Sequence, residues 1–286
     1  MWHDRFFRHV SDIFGGIDFS RWAALGGWGK DYEVLAVVED EELVASIGVS
    51  RMHFSCLQIP GHPGQTATME GLQLGAVATR EDRRGAGYAR RLMDLVLARA
   101  DATATPVLLF ANPSVVDFYP KFGFRRLLPQ SLSVPVELSP GNNRARQLDP
   151  ARAADRRLLA DLCAKSPAHG GAVSARPDPS TLLWYLCNDL TKGYVIEDEK
   201  SIVFVDQKGD RLHLQDWLGA PSANLEISLA SVLSEPITMM KLGFMPPVAW
   251  WSRPPLKMEN DHQSLMFWRG ADLPPGPLCF PVLMQT

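Results

Sequence analysis

From residue 72 to 79 small and apolar positions alternate loosely around Gln73 and Gly75, as in a half-buried strand, until the charged triplet Arg80, Glu81 and Asp82 ends it. After Gly87 the period lengthens. Ala89, Leu92, Met93, Val96 and Ala100 recur at spacings of three and four, with Arg90, Arg91, Asp94 and Arg99 between them, which predicts an amphipathic helix to about residue 101. Residues 107–110, Val-Leu-Leu-Phe, are a short buried-strand candidate. Upstream, 32–38 and 43–49 predict a hairpin around the acidic turn 39–42, with 51–58 continuing the second strand as far as a Pro/Gly breaker at 59–64.

The first thirty residues predict aromatic helices: Phe6, Phe7, Val10, Ile13 and Phe14 form a stripe before two glycines, followed by Phe19, Trp22 and Leu25. Residues 131–138 alternate as the last strand of a first domain, 1–139, and a Pro/Gly/Asn linker follows. The remainder, 140–286, predicts helices at 151–165, 181–190 and 222–234, and strands at 194–197, 202–206 and 212–218. A strand at 265–268 and an apolar tail complete this second domain. Lys241-Leu-Gly-Phe244 repeats the Lys121-Phe-Gly-Phe124 ending of the first half, a weak internal repeat that suggests a tandem arrangement.

The turn between the 72–79 strand and its helix carries the candidate chemistry. Arg84, Gly85, Ala86, Gly87, Tyr88 and Ala89 stand where glycine backbone and a helix N-terminus bring unpaired N–H groups to one point, which suits a pyrophosphate, and Arg83 and Arg84 add positive charge. A Walker loop would end in Gly-Lys-Ser/Thr, which is absent. A dinucleotide fingerprint would need a small residue at Arg90 and an acid closing the next strand, where Ala111, Asn112 and Pro113 stand instead. The plain alternative is an ordinary strand-to-helix turn with a solvated basic helix start.

Arg-x-x-Gly-x-Ala, filled by Arg84, Gly87 and Ala89 after a strand ending in Val77, Ala78 and Thr79, resembles the acetyl-CoA loop of the GNAT superfamily of N-acetyltransferases. The superfamily's next features, a strand, an Asn-headed helix, a Tyr and a Gly-Phe, follow in order at 107–110, Asn112, Tyr119 and Gly123-Phe124, so the resemblance spans roughly residues 32 to 127. It implies a mixed α/β GNAT fold and acetyl-CoA as acyl donor. It further implies a small-molecule amine or peptide N-terminus as acceptor, with direct transfer in a ternary complex. Tyr119 takes the place of the acid that protonates the leaving thiolate, its alternative being plain core packing. Asn112 would contact the CoA backbone, and the main chain of Val77, Ala78 and Thr79 would pair with pantetheine like an added strand.

The base stays open. Several families of the superfamily carry glutamate where this chain has Gln73, which cannot do that work, so Glu70 is a displaced candidate. The tandem form, with no phosphate motif at Gly219-Ala220-Pro221, resembles the enhanced-intracellular-survival acetyltransferases, without room for their third domain. That resemblance offers a second base, a terminal carboxylate at Thr286; water is a third. A homodimer is common among such relatives.

Composition alters this picture little. Hydrophobic residues make up 46% and charged ones 21% of 286, which is ordinary for globular chains, and a net charge of −3 argues against nucleic acid as a partner. Cys56, Cys163, Cys187 and Cys279 have no zinc-like spacing and read as buried thiols, no His pairs with another at ligand spacing, and no metal is expected. Neither a signal-peptide core nor a membrane span is visible, which points to the cytoplasm. Trp217, Trp250 and Trp251 could stack against an acceptor, but read first as core of the second half. Two other functions remain: a non-catalytic acyl-CoA-binding regulator, and a tandem synthase acylating an amino-sugar thiol precursor.

Overall fold

In the computed structural model, which describes residues 2–57, 66–142, 145–219, 225–246 and 257–286, the hairpin pattern becomes β1 (Tyr32–Glu39) and β2 (Glu42–Leu57). Asp40 and Glu41 turn between them with φ of 47° and 63°, as the twist of a two-residue hairpin requires. Antiparallel to β2 runs β3 (Thr66–Thr79). The helix α3 (Tyr88–Ala102) then carries the chain back to β4 (Val107–Phe110), which pairs with β3 in parallel. The aromatic start forms α1 (Trp2–Phe14) and α2 (Phe19–Ala24).

After β5 (Arg125–Arg126) comes β6 (Gln130–Leu138), whose expected place was at the end of the first sheet. It lies in the second sheet instead, against β12 (Ile237–Leu242) and β13 (Lys257–Asn260). In return β14 (Met266–Arg269), expected to complete the second half, is inserted between β4 and β5 of the first sheet. The two halves thus exchange strands. Alternation specifies which face of a strand is apolar, and both sheets offer such a face.

The rest of the second sheet is β7 (Arg146–Gln147), β9 (Lys192–Ile196), β10 (Ser201–Lys208) and β11 (Arg211–Leu218), reaching β12 through α6 (Leu225–Ala230). Both sheets contain antiparallel strands, then a helix, then a parallel return: β2, β3, α3 and β4 in one, β10, β11, α6 and β12 in the other. The expected repeat is therefore visible as topology. Two further helices, α4 (Ala153–Lys165) and α5 (Pro179–Cys187), cover the inner face, and β8 (Ser174–Ala175) pairs with β2. The breaker at 59–64, the start of the 222–234 helix and the pair Trp250-Trp251 fall outside the described residues.

Alternate residues of one strand feed different cores. Val107 and Leu109 pack with Leu92, Met93 and Val96 of α3, whereas Leu108 faces a core shared between the sheets with Phe54, Leu159, Phe204, Trp268 and Leu283. Trp217 is buried in the second sheet's outer core, and all four cysteines are buried free thiols. Among the described residues no helix is long and apolar enough to cross a membrane, and no group of His, Cys, Asp or Glu is arranged to hold a metal.

Candidate active site

The site begins with a failure of strand pairing. β3 and β4 pair from Leu72 to Leu74 against Val107 to Leu109, and among the described residues no strand continues along that edge of β3 from Gly75 to Thr79. A bulge causes the divergence. Gly48 pairs with Gly75 and Ser46 with Ala78, so Ala76 and Val77 together oppose one residue of β2. Ala76 takes φ of 46°, and its carbonyl accepts a hydrogen bond from Ser46 Oγ at 2.9 Å. The main chain of Val77, Ala78 and Thr79 therefore presents an unpaired edge to the opening, the form in which a sheet accepts an extended ligand.

Beyond the end of β3, Gly87, in the left-handed region at φ 81°, caps α3, and no side chain bonds the helix's first amides. Those amides carry the positive end of the helix dipole. Of the neighbouring arginines, Arg80 is bound to Asp82 at 2.6 Å, and Arg83 lies 3.3 Å from Glu39 and 3.4 Å from Asp82. The Arg80 guanidinium holds the Asp82 carboxyl below the usual range. Arg84 is exposed and, among the described residues, has no acidic partner. Two arginines were expected to serve an anion; Arg83 is instead engaged locally, leaving Arg84. The Tyr88 hydroxyl bonds Glu39, so only its main chain faces the turn.

Below the opening the expected Asn-headed helix is replaced by two short 3₁₀ turns, Pro113–Val115 and Tyr119–Phe122, each with a proline near its start. Proline lacks the N–H that a continuous helix would use. Asn112 caps the first turn, accepting from Ser114 N at 3.1 Å. Tyr119 begins the second, 4% exposed, its ring among Phe118, Phe124 and the exchanged strand's Phe267 at centroid distances of 5.3, 6.1 and 5.6 Å. Burial pushes its phenol up to about 12, so it holds its proton at any physiological pH.

The bulge, Asn112 and Tyr119 border one cavity of about 580 Å³, and Thr286 borders it too. The C-terminal tail reaches this point along a defined path. Gln73, fully buried, donates from Nε2 to the Met284 carbonyl at 2.8 Å, and Tyr185 Oη donates to the carbonyls of Val282 and Gln285 at 3.0 and 2.8 Å. Thr286 then lies directly on Gly75, where an added Cβ would fall 2.8 Å from its carbonyl carbon. Gln73 is thus a holder of the tail. The sequence signal was its amide in an apolar strand, but its partner lies 211 positions away. Glu70, by contrast, is exposed at a position paired with His53 and is not among the residues lining the cavity.

The same tail occupies the equivalent opening of the second sheet. Val282 N donates to Gly243 O at 2.8 Å, and its Cγ1 stands 2.6 Å from where a Cβ of Gly243 would be. Leu283 and Met284 then run into the core shared between the sheets.

Comparison with known proteins accords with this geometry. Residues 3–127 match the acetyltransferase (GNAT) domain family, so the likeness includes the early helices and not only residues 32 to 127. No curated protein matches the chain. Among solved structures, a conserved protein of Enterococcus faecalis V583 described as a probable N-acyltransferase shares the fold with a TM-score of 0.58 at 12% identity, over 93% of this chain and 70% of that one. A GCN5-related N-acetyltransferase from Kribbella flavida gives 0.55 at 18% over 94% and 68%. For Eis1 from Mycobacterium abscessus the values are 0.55 and 16%, over 94% and 71%. Residues 3–127 are thus similar to the GNAT acetyltransferase domain, and over nearly its whole length the chain shares its fold with Eis1.

Proposed function

We propose that the protein transfers an acetyl group from acetyl-CoA directly to an amine held beside it in a ternary complex. The observation that carries this reading is the bulge at Ala76 and Val77, which parts β3 from β4 beside a buried phenol, on a strand that leads to a helix N-terminus with no side-chain cap. Each part has a use. The amides of α3 with Arg84 suit the pyrophosphate, the free edge from Val77 to Thr79 suits the amides of pantetheine, and Asn112 borders the path between them. Tyr119, neutral and buried, donates toward the leaving sulfur.

For the base we propose the carboxylate of Thr286, because it shares the cavity with Tyr119 whereas Glu70 does not. Gly75→Ala separates the two candidates. The new methyl group has to displace Thr286, so turnover falls by about tenfold or more, since misplacing a reacting group by an ångström is enough for that. Glu70→Gln leaves it within about twofold. The reverse pattern returns the role to Glu70.

Residues 1–139 then form the catalytic unit and 140–286 a degenerate second copy. The tail plugging the second opening accounts for a copy without a donor site. The reading is tested by calorimetric titration with acetyl-CoA, followed by thiol release across a panel of amines. Arg84→Ala weakens acetyl-CoA by about tenfold or more, the worth of a charge-assisted bond. Gly87→Asp, which sets a carboxylate at the anion's place and a side chain at φ 81°, weakens it further. Unchanged affinity in both sinks the assignment of the loop, and binding without thiol release for any amine favours an acyl-CoA-binding regulator.

A further inference from the structure

Beyond the donor side, the cavity wall is apolar and drawn from both halves of the chain. Phe19, Trp22 and Leu25 of the first two helices' region line it together with Leu159, Leu183 and Trp184 of α4 and α5, and Phe19, Trp22, Leu183 and Trp184 pack in one cluster. These rings are held before any ligand arrives. Trp22 Nε1 donates to Ser180 O at 2.9 Å, and its ring meets Phe19 and Tyr32 edge-on at 5.6 and 5.2 Å. Gly27 lets the indole lie on the main chain, since a Cβ there would fall 2.0 Å from Trp22 Nε1.

Charge around the cavity is sparse and balanced. Apart from Thr286, its charged lining residues are Asp31, Asp178, Arg51 and Arg156. Asp178 is committed to α5, accepting from Thr181 N and Oγ1 at 2.7 and 2.8 Å, and Arg156 donates to the carbonyls of Pro150 and Ala151 at 2.8 and 2.9 Å. A polycation or an amino-sugar carries many ammonium and hydroxyl groups, each of which costs free energy when it loses water without gaining a partner. Such a molecule would find two arginines and few acceptors here. A single ammonium on an apolar body suits the wall, because its body replaces water on the side chains while aromatic faces receive its charge.

Resting on the acetyltransferase reading, we infer that the acceptor is an apolar monoamine of one or two rings' bulk, an arylalkylamine or its alkyl counterpart. In the transfer, the ammonium gives a proton to the base and the freed amine nitrogen forms a C–N bond to the thioester carbonyl carbon. The C–S bond then breaks, nitrogen loses its second proton as the sulfur takes one up from Tyr119, which is reprotonated from that nitrogen, and the products are the N-acetylamine, CoA and the proton held by the base.

The test compares initial rates of thiol release from acetyl-CoA with phenethylamine, tryptamine, hexylamine, spermidine and kanamycin, with acetyl-CoA affinity measured separately by calorimetry. Expected is a kcat/KM for phenethylamine or tryptamine at least about tenfold above spermidine and kanamycin, the scale on which apolar pockets discriminate. Ala160, exposed on α4 at the cavity's edge, provides the variant. Ala160→Trp raises the KM for phenethylamine about tenfold and leaves acetyl-CoA affinity within about twofold. With acetyl-CoA bound normally, preference for spermidine or kanamycin, or no turnover of any amine in the panel, overturns the acceptor class alone. Failure to bind acetyl-CoA overturns the acetyltransferase reading beneath it.

Discussion

Tyr119→Phe lowers kcat about a hundredfold while leaving acetyl-CoA affinity and the melting temperature nearly unchanged, a loss within the usual range for removing one general acid. The ring is what the fold uses. It packs against Phe118, Phe124 and Phe267, and phenylalanine fills the same space. The hydroxyl is what the proposed reaction uses. With the phenol pushed up to about 12, complete proton transfer to a thiolate of ordinary pKa near 8.5 would be uphill by about 5 kcal/mol. Tyr119 therefore serves best as a donor that strengthens its bond to sulfur as negative charge develops there, with the proton replaced from the reacting ammonium as it moves. Its high pKa also places the basic limb of the rate profile elsewhere, so wild-type activity shows no loss attributable to Tyr119 below about pH 11. Steady-state kinetics with the best amine of the panel measure both. A variant with unchanged kcat removes Tyr119 from the chemistry and leaves it a core residue.

Much of the proposed donor half of this site is local in the sequence, for a physical reason. A helix N-terminus, a left-handed glycine and an unpaired strand edge are local arrangements, so Arg84 to Ala89 and Val77 to Thr79 lie within one continuous stretch. Periodicity located α3 and β4 to within a residue because each buries one consistent pattern. The other half depends on distant segments. Gln73 is a poor proton acceptor when read alone, yet its role is to fix Met284. The aromatic start offers both core and cleft cover to a sequence reading, and Phe19 and Trp22 serve as both, packing with Phe6 and Val10 while bordering the open space. Which sheet receives a strand was hardest to read. β6 and β14 have the alternation any half-buried strand has, and the choice between the sheets is made by partners that neither segment contains.

A chain ended after residue 139, although it keeps every residue proposed to hold the donor and Tyr119 as well, gives no cooperatively folded domain. Without β14, the sheet loses the strand between β4 and β5, leaving the N–H and C=O groups of Val107 to Phe110 unpaired on that side. Burying such groups without partners costs about 1–3 kcal/mol each. Phe267 and Trp268, both 1% exposed, also leave the two cores on either side of the sheet. Meanwhile β6, released from β12 and β13, becomes an apolar strand with no sheet to join, a ready template for aggregation. Within the full chain, Phe267→Ala isolates one part of this loss and destabilises the fold by about 3–5 kcal/mol, as emptying a buried aromatic site does. It also loosens the wall behind Tyr119, so turnover falls even where the variant remains folded at the assay temperature. Thermal unfolding of the shortened chain and of Phe267→Ala, each followed by near-ultraviolet circular dichroism, reads the effect. A single sharp transition and normal acetyl-CoA binding from residues 1–139 would show that the first sheet closes without its borrowed strand; the expected trace has no transition, because the strand packed behind Tyr119 comes from the second half of the chain.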